Sequence, residues 1–432
     1  MSGRSIRCAV TCAALLLATV LLLGHGVGRA AVLERKTPVP AAFFGLIIHR
    51  ADSGTPWPAV DFGSWMLWDS YLKWSDLEPT EGDWRLDRFD KQVQLGTTHG
   101  VELVYTLGQT PAWASTQPTQ RFAYGAGTGA MPRDVTQFGR YVGKIAARYK
   151  GRIAAYQVWN EPKLGVPGSC GGVVFFCGSP DDLAQLTKVA REQLQRYDPD
   201  ALLLTPAFTG GKGGIAMLDR YLATGAGRWV DAVGFHFYES RPEDMLITLN
   251  LLRDLLARHG LGHLPIWNTE VGYLVQAGDS SVVPEHDAGV FSKVWSAQQA
   301  GALLARVLLL QAAGGVDRVH WYAWDNKRMG LMQPGNGQPN AAGVAFGVVR
   351  RWLVGATVRC AAERADLWTC QLARGGRQAS VTWRTDGGSL PPWTRAGQVE
   401  ALNGERLNVG AGEAVAQPVQ GPLLFVADGK RW

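Results

Sequence analysis

Two glutamates sit in local settings suited to proton transfer and nucleophilic attack. Glu161 closes the run Tyr156-Gln157-Val158-Trp159-Asn160-Glu161-Pro162, and Glu270 closes Pro265-Ile266-Trp267-Asn268-Thr269-Glu270. Each run is an apolar, strand-type segment that delivers an acid where strand gives way to loop, and Pro162 stops further pairing after the first. Shielding by aromatics such as Trp159 keeps a proton available on such an acid for a leaving oxygen. A second carboxylate facing the same centre can attack the carbon, which is how two carboxyls about 5–5.5 Å apart open a sugar acetal with net retention. A lone glutamate at a strand end is otherwise a solvated turn residue or an ion-pair partner. The chemistry therefore depends on a fold that brings the two together.

That fold is legible in the periodicity. Strand-type runs at Phe43–His49, Trp65–Asp69, Val101–Leu107, Ala154–Trp159, Ala201–Thr205, Val230–Phe237, Pro265–Thr269 and Arg318–Trp324 alternate with amphipathic stretches. The helical stretches are Leu86–His99, Val135–Tyr149, Pro180–Tyr197, Ile215–Thr224, Pro242–His259, His286–Ala313 and Ala341–Leu353. Alternation of this kind predicts an α/β architecture with parallel strands, and eight repeats predict a closed (β/α)8 TIM barrel over residues 31–354. Glu161 then ends strand four and Glu270 strand seven, across the mouth from each other. The connection Arg50–Gly63 is rich in Pro and Gly and has no helical period. Insertions Ser115–Arg133 and Lys163–Ser179 follow strands three and four, on the face where barrel enzymes build their sites. After Leu353 the runs Thr357–Cys360, Leu367–Leu372, Ala379–Trp383 and Leu423–Val426 predict a small C-terminal antiparallel β domain, residues 355–432, packed on the barrel.

Arg4 and Arg7, the apolar run to Leu23 and the small residues up to Ala30 read as a signal peptide or N-terminal anchor over residues 1–30. The protein is expected to be exported, periplasmic or extracellular, and to meet a membrane only if that segment stays uncleaved. Without Arg4, Arg7 and Arg29, which face no acid in that stretch, the formal charge of +6 falls to about +3. No basic run with interleaved aromatics occurs, so nucleic acid is not an expected partner. Cys170 with Cys177, and Cys360 with Cys370, are sequence-close pairs suited to disulfides in an oxidising compartment. Neither has metal-ligand spacing, and the group His49, Asp52 and Asp61 follows no ligand motif, so no metal or other cofactor is expected. The glycine-rich stretches Gly125–Gly129 and Gly210–Gly214 lack a following Lys-Ser/Thr and read as rim loops. The 17 tryptophans are a surplus that a core can absorb and that flat sugar-stacking surfaces also use.

With those residues in place, the chain resembles clan A glycoside hydrolases, and within them bacterial family 39-like enzymes of the exopolysaccharide-associated type. The similarity lies in Trp68-Asp69, Trp74, Leu77-Glu78-Pro79, Gly82-Asp83-Trp84 and Leu86, and in Tyr105-Thr106-Leu107-Gly108 with Thr110-Pro111-Ala112-Trp113-Ala114. The resemblance implies that Glu161 is the acid/base, Glu270 the nucleophile, and Asn160 a partner of the sugar's 2-hydroxyl. It also implies that His236-Phe237-Tyr238 supports the nucleophile through the Tyr238 hydroxyl. Trp324 is expected to form the sugar-binding floor, with Trp321 in the core, while Trp113, Gln109 and His49 complete the subsite. One departure stands out: where related enzymes carry an arginine near the end of strand two, this chain has Met66, with Arg50 and Lys73 as candidate replacements.

The activity implied is hydrolysis of a β-linked glycoside, within a bacterial oligo- or polysaccharide, by double displacement. An exo-acting β-xylosidase-like enzyme, a transglycosylase and a non-catalytic carbohydrate-binding barrel are the competing expectations.

Overall fold

The computed structural model describes residues 32–166, 169–170, 174–276, 291, 293–414, 421–427 and 432. The segment 1–30 lies outside the described residues, as does His286–Val290 of the sixth helical stretch. Among the described residues no helix is long and apolar enough to cross a membrane.

Eight parallel strands form the barrel: β1 Phe44–Ile47, β2 Ser64–Leu67, β3 Glu102–Leu107, β4 Ala155–Val158, β5 Leu202–Leu204, β6 Val233–His236, β7 Ile266–Val271 and β8 Arg318–Trp321. Their order is β5-β4-β3-β2-β1-β8-β7-β6. Parallel bridges Leu204↔Ala232 and Phe208↔Phe235 close the ring between β5 and β6. Period-two alternation divides each strand between two cores. On β2, Trp65 and Leu67 join the large apolar layer under the helices, while Met66 faces a smaller interior cluster with Ile47, Val104, Ala155 and Leu204.

Among the described residues seven helices wrap the sheet: α1 Asp87–His99, α2 Val135–Arg148, α3 Pro180–Tyr197, α4 Gly211–Leu222, α5 Met245–Arg258, α6 Ala297–Ala313 and α7 Ala341–Leu353. Their starts are chemically marked. Ser179 and Asp182 form a reciprocal cap on α3, Ser296 and Gln299 do so on α6, and Asn340 caps α7. The Arg50–Gly63 connection contains no helix, as its composition predicts, and a one-turn helix at Trp74–Leu77 precedes α1.

The C-terminal unit is a sheet of β9 Thr357–Arg364, β10 Leu367–Arg374, β11 Arg377–Arg384, β12 Gly397–Glu400, β13 Arg406–Val409 and β14 Leu423–Ala427. Val32–Arg35, assigned from the sequence to the barrel domain, instead pairs antiparallel with β9 at the edge of this sheet. The sheet explains α6, whose residues from Ala300 to Ala313 are all buried. A helix apolar all round needs cover on every face. The barrel covers one side and β9 packs on another, where the Cys360 sulfur lies 3.9 Å from the Leu309 carbonyl oxygen. Both expected disulfides, Cys170–Cys177 and Cys360–Cys370, are formed.

Candidate active site

The ends of β4, β6 and β7 bring three groups together. His236, the last residue of β6, places Nδ1 2.8 Å from Glu161 Oε1 and 3.8 Å from Glu270 Oε1. One donor atom from each of the three lies within 4.8 Å of the others, so the two carboxylates face one small volume. Tyr238, two residues beyond β6, donates its hydroxyl to Glu270 Oε1 at 2.8 Å. Glu270 is the more enclosed acid, with 10% of its side chain exposed against 21% for Glu161. Among the described residues, these three side chains are also the group of metal-ligating types that converges closely enough to hold an ion.

Backbone strain concentrates on the same face. Asp69, Tyr71, Gln109, Trp159 and Glu161 all have positive φ, and all follow the C-terminal ends of β2, β3 and β4. Conformations that cost about 1–3 kcal/mol each persist where the surroundings over-determine them. At Gly108, φ is 135° and an added Cβ would lie 2.8 Å from the Trp159 ring, so only glycine lets β3 end this close to the strand carrying Glu161.

The electrostatics follow from burial. Desolvation raises the Glu270 pKa to about 8; His236 opposes that rise, Glu161 adds to it, and the Tyr238 hydrogen bond works against it. Burial by itself would depress His236, but attraction to Glu270 and Glu161 outweighs it and holds the imidazole above its ordinary value. Burial and neighbouring carboxylates push the phenols of Tyr238, Tyr124 and Tyr322 upward, so all three stay protonated donors.

Residues 61–168 match the family model described as Glycosyl hydrolase family 10, a stretch that includes Asn160 and Glu161 and ends before Glu270. Solved structures align over nearly the whole chain. A monomeric beta-xylosidase from Caulobacter crescentus CB15 is 15% identical, with 93% of this chain and 98% of that one covered at a TM-score of 0.59. A GH39 enzyme from Xanthomonas axonopodis pv. citri is 15% identical, covering 94% and 100% at 0.56. A GH30 endoxylanase from Clostridium papyrosolvens C71 is 12% identical, covering 92% and 100% at 0.59. The chain has the fold of the clan A glycoside hydrolases.

The Met66 side chain is buried in the barrel interior and brings no charge there. Neither suggested replacement touches Glu270. Lys73 pairs with Asp76 at 2.7 Å and lies over the Tyr124 ring, while Arg50 is exposed and its backbone N–H binds Asp325. Among the described residues, the basic side chain against Glu270 is His236, shared with Glu161.

The remaining expected residues divide. Asn160, Gln109 and His49 lie at the strand ends, and Asn160 Oδ1, Gln109 Oε1 and His49 Nε2 are buried atoms without a partner among the described residues. His236 Nε2 is a fourth. Trp113 is anchored elsewhere, its Nε1 donating to the Glu78 carbonyl at 2.8 Å and its ring set edge-on to Trp74. Trp324 corrects the expectation of a sugar-binding floor: it is fully buried in the layer under the helices, together with Trp321.

Tyr322 occupies the mouth instead, donating to Asp69 Oδ2 at 2.6 Å with its ring 5.2 Å from that of His49. Tyr124, at the tip of a small hairpin after β3, donates to the other oxygen of Asp69. Trp68, Tyr124 and Phe175 pack against one another to form an aromatic wall. The sequence signal for Asp69 was its place in the Trp68-Asp69 motif; nothing local distinguished Tyr124 or Phe175.

Proposed function

We propose that this protein is an exported retaining glycoside hydrolase that cleaves β-linkages in an oligo- or polysaccharide, with Glu161 as acid/base and Glu270 as nucleophile. The observation that carries the reading is the approach of both carboxylates, from opposite sectors of one barrel mouth, to within 4.8 Å. That spacing suits direct attack better than it suits an intervening water, which needs about 6.5–9.5 Å. The clan A fold and the family 10 match over the Glu161 segment support the same chemistry.

In the first step the pair reacts from the state with the proton on Glu161 and Glu270 ionised: Glu161 protonates the glycosidic oxygen while Glu270 attacks the anomeric carbon, the leaving group departs as an alcohol and a glycosyl ester forms. In the second, Glu161, now ionised, takes a proton from water, and the hydroxide equivalent displaces Glu270. His236 lies against both acids, so the charge that passes from one to the other during each step stays next to the same imidazole. Asn160, Gln109 and His49 offer unpartnered polar atoms to sugar hydroxyls. Two disulfides support an oxidising, extracytoplasmic location.

The test is release of reducing ends from a panel of β-linked exopolysaccharides, with the first-formed anomer followed by NMR. Wild type is expected to release the β-anomer, and Glu270→Gln to lose at least about a thousandfold in kcat/KM. Equal activity of the two proteins, or an inverted product, overturns the assignment; binding without turnover by wild type points to a non-catalytic sugar-binding barrel.

A further inference from the structure

Beside Glu270 the mouth deepens into a cleft of about 360 Å³ between the loops that follow β8, β1 and β2. Asp69 and Tyr322 are common to the cleft and to the surroundings of Glu270. In the ring of eight strands this sector faces β4, which carries the leaving-group acid Glu161. The cleft therefore lies on the side that holds the sugar bonded to Glu270 rather than the departing one.

Its charges are arranged unevenly. The two acids that line it are turned inward and occupied. Asp325 accepts from the backbone N–H groups of His49 and Arg50, at 2.8 and 3.0 Å, and from the Thr55 hydroxyl at 2.6 Å. Asp69 accepts from Tyr124 and Tyr322. The three cations, Arg50, Lys327 and Arg328, are exposed, and among the described residues neither the Arg50 nor the Lys327 side chain has an acidic partner. Nearby Lys73 and Arg88 differ, being paired with Asp76 and Asp52. Between these groups stands Tyr71, 53% exposed and held at a φ of 61°, with the Arg88 guanidinium 4.8 Å and the Lys73 ammonium 5.6 Å from the centre of its ring.

A wall whose acids are covered and whose guanidinium and ammonium groups are open favours an anion. Resting on the glycosidase reading above, we infer that this cleft is a subsite for a sugar unit carrying a negatively charged substituent, so that the substrate is an acidic saccharide. Arg50 and Lys327 meet the anionic group.

The test is calorimetric titration of the Glu270→Gln protein, which cannot turn substrate over, with three matched ligands. These are a neutral β-1,4-glucan tetramer, the tetramer oxidised to glucuronate at C6, and the tetramer sulfated at C6. At 50 mM salt an anionic ligand is expected to bind about tenfold more tightly than the neutral one. The margin should shrink to about twofold at 0.5 M salt, where exposed charges are screened. The carboxylate and sulfate arms identify which substituent the cleft prefers. Arg50→Gln with Lys327→Gln should bring the ratio of affinities close to one. Equal or tighter binding of the neutral ligand, no binding of any of the three, or a margin that survives the double substitution would each overturn the inference. The two readings fail separately: hydrolysis by wild type with no preference for charge leaves only the glycosidase, whereas preference for charge without hydrolysis leaves only the anionic subsite.

Discussion

Glu243 and Glu270 are buried to nearly the same degree, with 8% and 10% of their side chains exposed, yet they are compensated in opposite ways. Glu243, in the turn before α5, receives Arg306 from α6 through both oxygens, and Trp383 Nε1 from β11 at 3.1 Å. One carboxylate thereby ties the barrel, its α6 helix and the C-terminal sheet together. Among the described residues no guanidinium pairs with Glu270. Its donors are the Tyr238 hydroxyl and an imidazole that it shares with a second acid. A paired, immobile carboxylate is a structural joint, whereas one whose ionised form is under-supported is poised to gain from a new bond or partner.

The largest difference between the two sites should appear when a partner is removed. Arg306→Met leaves Glu243 buried without a counter-charge, and a loss of about 3–5 kcal/mol in urea-unfolding stability is expected. The pH dependence of kcat/KM for the protein that remains folded should not move. A shifted profile would mean that the two sites communicate and that the contrast between them is misdrawn. Glu270→Gln should act in the opposite sense on stability. Because the folded-state pKa of Glu270 lies near 8, above its ordinary 4.5, the native state holds a proton that the unfolded chain has lost across that interval. Stability therefore falls as pH rises from about 4.5 to 8, and the glutamine variant, free of that titration, should be the more stable protein at pH 8.

Tyr238→Phe tests the weaker support of Glu270. The hydroxyl stabilises the ionised form, so its removal raises the pKa further and moves the acid limb of kcat/KM to higher pH. A hydrogen bond to a charged group is worth about 1.5–3 kcal/mol, which corresponds to a loss of roughly ten- to a hundredfold below that limb. An unshifted limb would show that Tyr238 positions the carboxylate without stabilising its charge.

How much of this was readable beforehand depended on whether a residue's partners were local. All eight barrel strands and both glutamates were legible, because each strand carries its own apolar run and each acid sits at its end. Asp69 was marked only by its place in the Trp68-Asp69 motif, and its role at the mouth was not legible, since its donors Tyr124 and Tyr322 lie 55 and 253 residues away. Trp324 was misjudged because alternation ends with the strand: Tyr322 and Ala323 both meet the interior, which moves Trp324 to the outer layer. In the C-terminal unit β12 and β13 escaped notice; Arg406, Leu407 and Asn408 are exposed on an edge strand, where no burial imposes a pattern.

The smallest expected effect concerns the joint that holds the wall of the mouth. Cys177 lies in a two-residue strand paired with Lys163, just beyond Glu161, and its disulfide to Cys170 closes a short loop. Two residues earlier, the Phe175 carbonyl accepts from Trp159 Nε1 at 2.8 Å and from Gln109 Nε2 at 3.3 Å, while its ring meets Trp68 and Tyr124. Reducing the disulfide frees the loop without touching either glutamate. Chain entropy over so few residues limits the stability loss to about 2 kcal/mol. Cys170→Ser with Cys177→Ser is accordingly expected to raise KM about threefold, as Phe175 loosens, and to leave kcat nearly unchanged. A fall in kcat with KM intact would instead place this loop in the support of Glu161, and would extend the under-compensated region from one carboxylate to both.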